Sequence, residues 1–375
     1  MRAVGVYRTT FPTVSEVFIT EQINSFRRYK VSTIARDVIV NNLTLCVGCA
    51  PYPVASSRAF QKKWFTLLRR VDLPKLVKTI GSLDLIHAHF GPDGVMILPT
   101  ARRLGVPLIV TFHGFDAQMN RNALLRTRMP TNLQFLLHER QLQREGALFI
   151  AVSDFIRNKL IAKGYPQEKV VVQHIGIDTE KFAPGDEQLR QKIVLNVSRH
   201  VACKGLDTLL RGFAQACGSL PEWRLVQIGA GGETESLQQL AKSLGIEDRV
   251  IWMGAQPHDK VRELMRQASI YAQTSQQDDA GQTEAFGIVL LEAAASGLPV
   301  VATRSGGMPE AVLENRTGFL FPERDDRRLG SLLLELMAKP ELRSGMGRAG
   351  REYALQFDIR LKTRQLEDLY DKVLG

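Results

Sequence analysis

An α/β protein with two doubly wound parallel sheets is what these 375 residues predict, on three observations. Short apolar runs without alternation, such as residues 108–112 and 299–303, have the pattern of strands buried on both faces. Each run is followed by a glycine- or proline-marked turn and a longer segment of helical character. This strand–helix plan runs once before and once after the break at Pro184-Gly185-Asp186, so two such sheets are expected rather than one.

Residues 3–7 read as the first strand. Ser15 is placed to cap the helix that follows, with Glu16 in its first turn and Phe18, Ile19, Ile23 and Phe26 on one apolar face. Residues 31–34 and 38–45 read as further strands. Residues 58–80 are basic, interleaved with Trp64, Phe65, Leu67 and Leu68 and broken at Pro74. Such a helix either lies on an anionic bilayer or packs its apolar face inward. Residues 84–90 form a strand with His89 at its polar end, and residues 108–112 another that runs into His113-Gly114-Phe115-Asp116. Functional groups in open α/β sheets gather beyond the carboxyl ends of strands, so both histidines are candidates. Residues 118–131 carry Arg121, Arg126 and Arg128 with little apolar order and read as a mobile basic loop. A helix over 131–145, a strand over 148–152, a helix over 155–162 capped by Ser153 and a strand over 170–172 complete this half.

Residues 193–197 open the second series. Arg199 and Lys204 stand between this strand and the next helix. Cations at a helix N-terminus oppose its dipole unless an anion is bound, so both are candidate phosphate ligands. Residues 223–228 run into Gly229-Ala230-Gly231-Gly232, a phosphate-type loop of low specificity. Residues 249–254, with Val250 and Trp252, read as the next strand. Helices over 328–338 and 341–355 close this half, and 361–374 is a final amphipathic helix.

Most of the chemistry concentrates in residues 275–310. A loop with Asp278, Asp279 and Gly281 leads to Glu284, then to a helix read over 286–295 that contains Glu292. Gly297 and Pro299 suit its end. After the 299–303 strand, Ser305-Gly306-Gly307 leads to a second helix start, with Pro309 in its first turn. Two strand–loop–helix junctions in a row offer free amides and positive dipole ends to an anion. Carboxylates in the same place would repel phosphate and suit hydroxyls instead, so a nucleotide bearing a sugar is the expected ligand. Eight residues turn a helix by ~80° beyond two full turns, so Glu284 and Glu292 converge only if Glu284 lies in the loop before the helix. Asp278 and Asp279 are adjacent rather than spaced as a metal pair, and no metal is expected.

Composition bounds the rest. No run of 18 apolar residues marks a membrane span. The opening MRAVGVYRTTFP is too briefly apolar for a signal peptide, so a cytoplasmic protein is expected. Cys46 and Cys49 form a CxxC pair, but Cys203 and Cys217 supply no second pair, and four reduced thiols are expected rather than a zinc site. Residues 1–190 hold 26 Lys/Arg against 15 Asp/Glu, a balance of +11, while residues 191–375 hold 23 against 24, a balance of −1. A basic half suits nucleic acid, an anionic membrane surface or an anionic substrate. No zinc finger, RNA-binding signature or basic-helix repeat supports nucleic acid.

Glu284, seven residues, Glu292, then Ala-Ser-Gly-Leu-Pro-Val-Val-Ala-Thr and Gly-Gly-Met-Pro-Glu resemble the donor-site signature of the family 4 retaining glycosyltransferases. Ala285 stands where that family often has glycine. The Arg199, four residues, Lys204 spacing is similar to the family's pyrophosphate pair, and TFHGFD around His113 to its inter-domain histidine segment. The IGIDTEKF of 175–182 and the Pro-x-x-Ser-Glu of 12–16 are similar to its linker and to an exopolysaccharide-type loop.

The resemblance implies the GT-B fold, two Rossmann-like domains facing across a cleft. Residues 1–184 would bind acceptor, with a C-terminal helix over 357–375 crossing back, and residues 185–356 would bind the nucleotide sugar. It implies a retaining, metal-independent glycosyltransferase without a cofactor. This would move a sugar from a nucleotide-sugar donor to a saccharide acceptor, expected to be lipid-linked, in bacterial surface polysaccharide synthesis. His113, Glu284, Arg199 and Lys204 are then implied at the reacting centre. Gly229, Val250, Trp252, Ala285, Phe286, Gly287, Ile288 and Glu292 are implied at the donor, and Ser15 and Glu16 at the acceptor loop. The alternatives are a non-catalytic sugar-nucleotide-binding subunit, which would bind donor without turnover, and a nucleotide-sugar 2-epimerase, which would need additional carboxylates. A phosphorylase on the same fold would need a lysine for pyridoxal phosphate.

Overall fold

The computed structural model describes residues 1–13, 16–40, 51–54 and 59–375. The chain forms two compact units, Met1–Gly176 with Ile359–Gly375, and Ile177–Asp358. Among the described residues, no helix is long and apolar enough to cross a membrane.

The first unit holds seven parallel strands: β1 (Arg2–Phe11), β2 (Tyr29–Val38), β3 (Tyr52–Pro53), β4 (Leu85–His89), β5 (Leu108–Phe112), β6 (Leu148–Ala151) and β7 (Val170–Val172). Their order is β3-β2-β1-β4-β5-β6-β7. Every residue of β4 and β5 is buried, as their unbroken apolar runs require. The strand β2 is one element rather than two short ones. It pairs in register with β1 from Arg2↔Tyr29 to Phe11↔Val38, and that partner carries it past the expected break. Residues 41–45 of the expected second strand lie outside the described residues, as do Ser15, Cys46 and Cys49.

The basic stretch splits into helices Ala59–Leu68 and Leu73–Ile80. Asp72 caps the second by accepting from Lys75 N at 3.2 Å, with Pro74 in its first turn. The basic segment expected to be a mobile loop is instead ordered. Asn120 caps a helix over Arg121–Arg126, its Oδ1 accepting from Ala123 N at 2.8 Å, and the Pro130–Glu145 helix follows. The capping asparagine outweighs the poor apolar pattern. In the core, Val4, Ile19, Leu85, Ile109 and Ile150 pack with Leu366 and Tyr370 of the last helix, Ile359–Leu374.

The second unit holds six parallel strands: β8 (Ile193–Val197), β9 (Arg224–Ile228), β10 (Val250–Trp252), β11 (Ile270–Gln273), β12 (Val300–Thr303) and β13 (Gly318–Phe321). Their order is β10-β9-β8-β11-β12-β13. Leu209, Leu210, Phe213, Trp223, Leu329 and Leu333 form its core. Burying each such side chain stabilises by about 1.5–3 kcal/mol. Two expected helix starts shift. The helix containing Glu292 runs over Ile288–Ala295, because Gly287 takes φ +98° and holds the preceding residues in a loop. The start at Pro309 is only a 3-10 turn, Met308–Ala311, so the second junction presents no α-helix N-terminus.

In both sheets the strand order reverses at one place, between β1 and β4 in the first and between β8 and β11 in the second. Loops beyond the carboxyl ends of strands at such switch points are where ligands of open α/β sheets bind.

Candidate functional site

At the switch point of the second sheet, residues 80 apart in sequence meet. Lys204, in the loop after β8, donates from Nζ to Glu284 Oε2 at 2.6 Å. Gln273, the last residue of β11, donates from Nε2 to the same oxygen at 3.0 Å. Gln273 is itself held, its Oε1 accepting from Tyr271 O–H at 3.0 Å and its Nε2 facing Ser275 Oγ at 3.2 Å. Glu284 is thus aimed by a buried amide, and the anion that Lys204 meets is a carboxylate of the same unit. The two loops are also joined through backbone: Thr274 Oγ1 donates to Lys204 O at 3.0 Å, and Gln276 N to Cys203 O at 2.9 Å.

Glycine decides how closely the chain approaches Glu284. Gly307 N donates to the Glu284 carbonyl at 2.9 Å. A Cβ on Gly306, at φ +55°, would lie 2.0 Å from that oxygen, so no side chain fits there. Thr283 and Ser305 share a hydroxyl–hydroxyl hydrogen bond beside it. Glu284 lies in the loop, as convergence requires, and Glu292 is buried in the second turn of the Ile288–Ala295 helix. That helix has Gly287 as its N-cap and no side-chain cap, so its first amides are not satisfied by a capping side chain. Phe286 is buried, its ring 5.8 Å from that of Phe357, and Ala285 and Ile288 are partly exposed.

The other expected donor residues lie nearby but are not all joined. Arg199 is exposed; its carbonyl accepts from Val201 N at 3.0 Å, and its guanidinium makes no hydrogen bond or ion pair among the described residues. Gly229 takes φ +137°, where an added Cβ would lie 1.9 Å from Ser198 O. The glycine loop after β9 therefore presses on the loop after β8. His200 in that loop donates from its backbone N to Ala230 O at 3.1 Å, and its Nδ1 lies 2.8 Å from Thr234 Oγ1. Burial pushes the His200 pKa down. Val250 is buried and Trp252 partly exposed on the edge strand β10, two strands from β8, where Trp252 stands edge-on to His200 at 5.5 Å.

In the first unit the switch point is furnished by buried side chains. Arg8 on β1 pairs with Glu16 at 2.6 Å and with Asp93, and its guanidinium lies 4.2 Å from the centre of the Phe90 ring. Asp93 also accepts from Thr9 N at 3.0 Å. Glu16 is therefore engaged by a neighbouring arginine. His113, after β5, places Nε2 2.9 Å from Nδ1 of His89, the last residue of β4, with the rings stacked at 5.2 Å. His87 lies beside His89 and bonds to Tyr370 O–H and, at 2.7 Å, to Thr111 Oγ1. Burial pushes all three imidazoles down, His87 to about 3 and the other two well below their ordinary value, with Arg8 also disfavouring charge on His89 and His113. His113 is thus a neutral ring at pH 7, and its Nδ1 is buried without a partner. Asp116 ties the two loops, accepting from Gly91 N at 2.9 Å and Gly114 N at 3.0 Å, and burial pushes its pKa up to about 6.

The sequence reading missed Gln273, Arg8, Asp93, His87 and Asp116. A signal existed for His87, which stands inside the otherwise apolar run of β4.

The family model described as Glycosyltransferase Family 4 matches residues 34–181, and that described as Glycosyl transferases group 1 matches residues 178–353. A GDP-mannose-dependent alpha-(1-6)-phosphatidylinositol monomannoside mannosyltransferase of Mycolicibacterium smegmatis is 30% identical over 297 residues, covering 75% of this chain and 75% of its own. The chain belongs to the family 4 glycosyltransferases. WcaL of Escherichia coli, named for colanic acid biosynthesis, is 30% identical to this transferase over 76% of its length and 70% of WcaL. HepE of Anabaena, solved with UDP, superposes with a TM-score of 0.79 at 20% identity, over 99% of the transferase and all of HepE. The family and the GT-B fold implied by the motifs are therefore shown, and the transferase is an enzyme.

Proposed function

We propose that the transferase moves a hexose, with retention, from a nucleotide-sugar donor to a lipid-linked saccharide during synthesis of a bacterial surface polysaccharide or glycolipid, working at the cytoplasmic face of the plasma membrane. One observation carries this reading: Glu284, held by Lys204 and Gln273 at the switch point of the second sheet, beside an uncapped helix N-terminus. A carboxylate whose one oxygen is fixed by two donors keeps its other oxygen for sugar hydroxyls. Lys204 and Arg199 supply positive charge for the departing diphosphate, and the helix amides add to it as charge grows on the leaving oxygen. Glu292 accepts from the ribose, Val250 and Trp252 flank the base, Gly229 admits the backbone close to the phosphates, and His113 meets the donor sugar as a neutral ring. The names of the relatives, a GDP-mannose-dependent mannosyltransferase and a colanic acid glycosyltransferase, support this substrate class.

With cationic side chains and helix amides at the diphosphate, activity survives a chelator. The deciding experiment offers nucleotide sugars singly and follows release of nucleoside diphosphate with and without lipid-linked acceptor. Turnover that needs both substrates is the expected result. Donor binding without turnover in the presence of every acceptor, or loss of activity in EDTA restored by magnesium, would overturn the reading.

A further inference from the structure

Two helices of the first unit carry a face that their own fold leaves uncovered. On Ala59–Leu68, Phe60, Trp64, Leu67 and Leu68 are exposed, Phe60 to 67%, and their spacing sets them on one stripe. Phe60 and Trp64 meet edge to face at 5.6 Å. Phe65 and Thr66 of the same helix are buried, so packing into the unit uses the opposite side and leaves the aromatic stripe to solvent. On Pro130–Glu145, Leu133 and Leu137 are exposed one turn apart, Leu137 to 61%, and Met129 is exposed at the start of the helix. The stripes adjoin. Gln134 Nε2 donates to the Leu67 carbonyl at 3.5 Å, and a groove of about 550 Å³ between the helices is lined by Lys62, Lys63, Leu67, Pro130 and Leu133, among others.

Cations outnumber carboxylates around this face. Lys63, Arg70, Arg126, Arg128 and Arg140 are exposed and make no ion pair among the described residues. Lys62 and Arg36 are balanced on Asp37. Glu139 is drawn inward, accepting from Tyr165 O–H at 3.3 Å. Contiguous large apolar side chains are uncommon on a free surface. A ring of unpaired cations around them matches a plane of lipid phosphates, which meets all five without a specific arrangement of partner carboxylates.

We propose that this face docks the transferase on an anionic bilayer, Phe60, Trp64, Leu67, Leu133 and Leu137 entering the acyl boundary while the five cations meet lipid phosphates. The purpose of docking, access to a lipid-linked acceptor, rests on the function proposed above; the docking itself does not. The test uses the full chain with vesicles of phosphatidylcholine alone and of phosphatidylcholine mixed equally with phosphatidylglycerol. Sedimentation with the mixed vesicles, falling as salt rises, is expected. Arg126→Gln and Arg128→Gln each weaken it by about fivefold. Brominated lipid quenches the fluorescence of the parent but not of Trp64→Phe, because Trp64 is the one of the three tryptophans that lies on this face. The double variant Trp64→Ala, Leu133→Ser loses vesicle binding while retaining its melting temperature and its transfer to a detergent-dispersed acceptor. Equal binding to both vesicle types, unchanged binding in the double variant, or quenching that persists in Trp64→Phe would overturn the proposal. A parent that binds mixed vesicles yet transfers nothing to any acceptor would instead sink the proposed function and leave the docking face standing.

Discussion

In the first unit, the carboxyl ends of β4 and β5 and the residues just beyond them hold imidazoles and a carboxylate: His89 against His113, and Asp93 under Arg8. In the second unit, the loops beyond β8 and β11 are joined by one aimed ion pair, Lys204–Glu284, and glycines beyond β9 and β12, Gly229 and Gly306, pack onto carbonyl oxygens of those loops. The first arrangement keeps its rings neutral by desolvation, and its charges, Arg8 with Glu16 and Asp93, are paired among themselves. The second brings backbone amides, a helix N-terminus and partly exposed charges within reach, as a diphosphate and a hydroxylated sugar require. The same switch-point geometry is thus furnished in two ways, and the two should fail differently when disturbed.

The largest expected effect is in the glycine-built end. Gly229→Ala puts a Cβ against Ser198 O at φ +137°, so a loss of at least about 3 kcal/mol in unfolding free energy is expected, with loss of nucleotide binding. Gly254→Ala, at φ +64° with no atom within 4 Å of the added Cβ, should cost only about 1–2 kcal/mol. Equal costs in urea titrations would break the claim that close approach, rather than φ alone, demands glycine.

Next is the ion pair. Glu284→Gln removes a charged acceptor of hydrogen bonds worth about 1.5–3 kcal/mol, so kcat/KM should fall roughly 10- to 150-fold with little change in affinity for the bare nucleoside diphosphate. A variant as active as its parent would remove Glu284 from the site.

The histidine end should show itself by pH. Its imidazoles have depressed pKa values when folded, so between about pH 6.5 and 3 the unfolded chain binds more protons than the folded one. Stability is then full above pH 6.5 and is lost as pH falls. Asp116, raised to about 6, works in the opposite sense below that value and offsets part of the loss. His89→Asn should flatten the acid slope of stability by about 1.4 kcal/mol per pH unit, one proton's share. A slope unaltered in amide exchange of the first unit would show that His89 is not held neutral.

The smallest effect is at His113. His113→Ala should lower kcat by roughly tenfold, the value of one neutral hydrogen bond, while nucleotide affinity stays as it was. An equal loss in binding would place His113 at the nucleotide rather than at the sugar.

How much of this was legible varies by element. The strands β4, β5, β11 and β12 were readable because apolar runs of that length have no other way to be buried. Glu284 was readable through a spaced signature, and its place in the loop through the rotation an intervening helix would impose. The Arg121–Arg126 helix was not, because the capping role of Asn120 shows only in the geometry of Ala123 N. Nor was the 3-10 turn at Pro309, whose start resembles that of a full helix.

The sequence by itself determined the two αβ series, the family, the charge divided between the halves, and the loops that carry chemistry. Those features are written in local pattern, where periodicity and turn residues act over a few positions. Only the tertiary structure decided that Lys204 spends its charge on Glu284, that Gln273 aims that carboxylate, and that His89 holds His113. It also decided which side of the Ala59–Leu68 helix is buried and which is left exposed. These are contacts between residues brought together by sheet order and by the packing of neighbouring elements, and no local pattern along the chain carries that information.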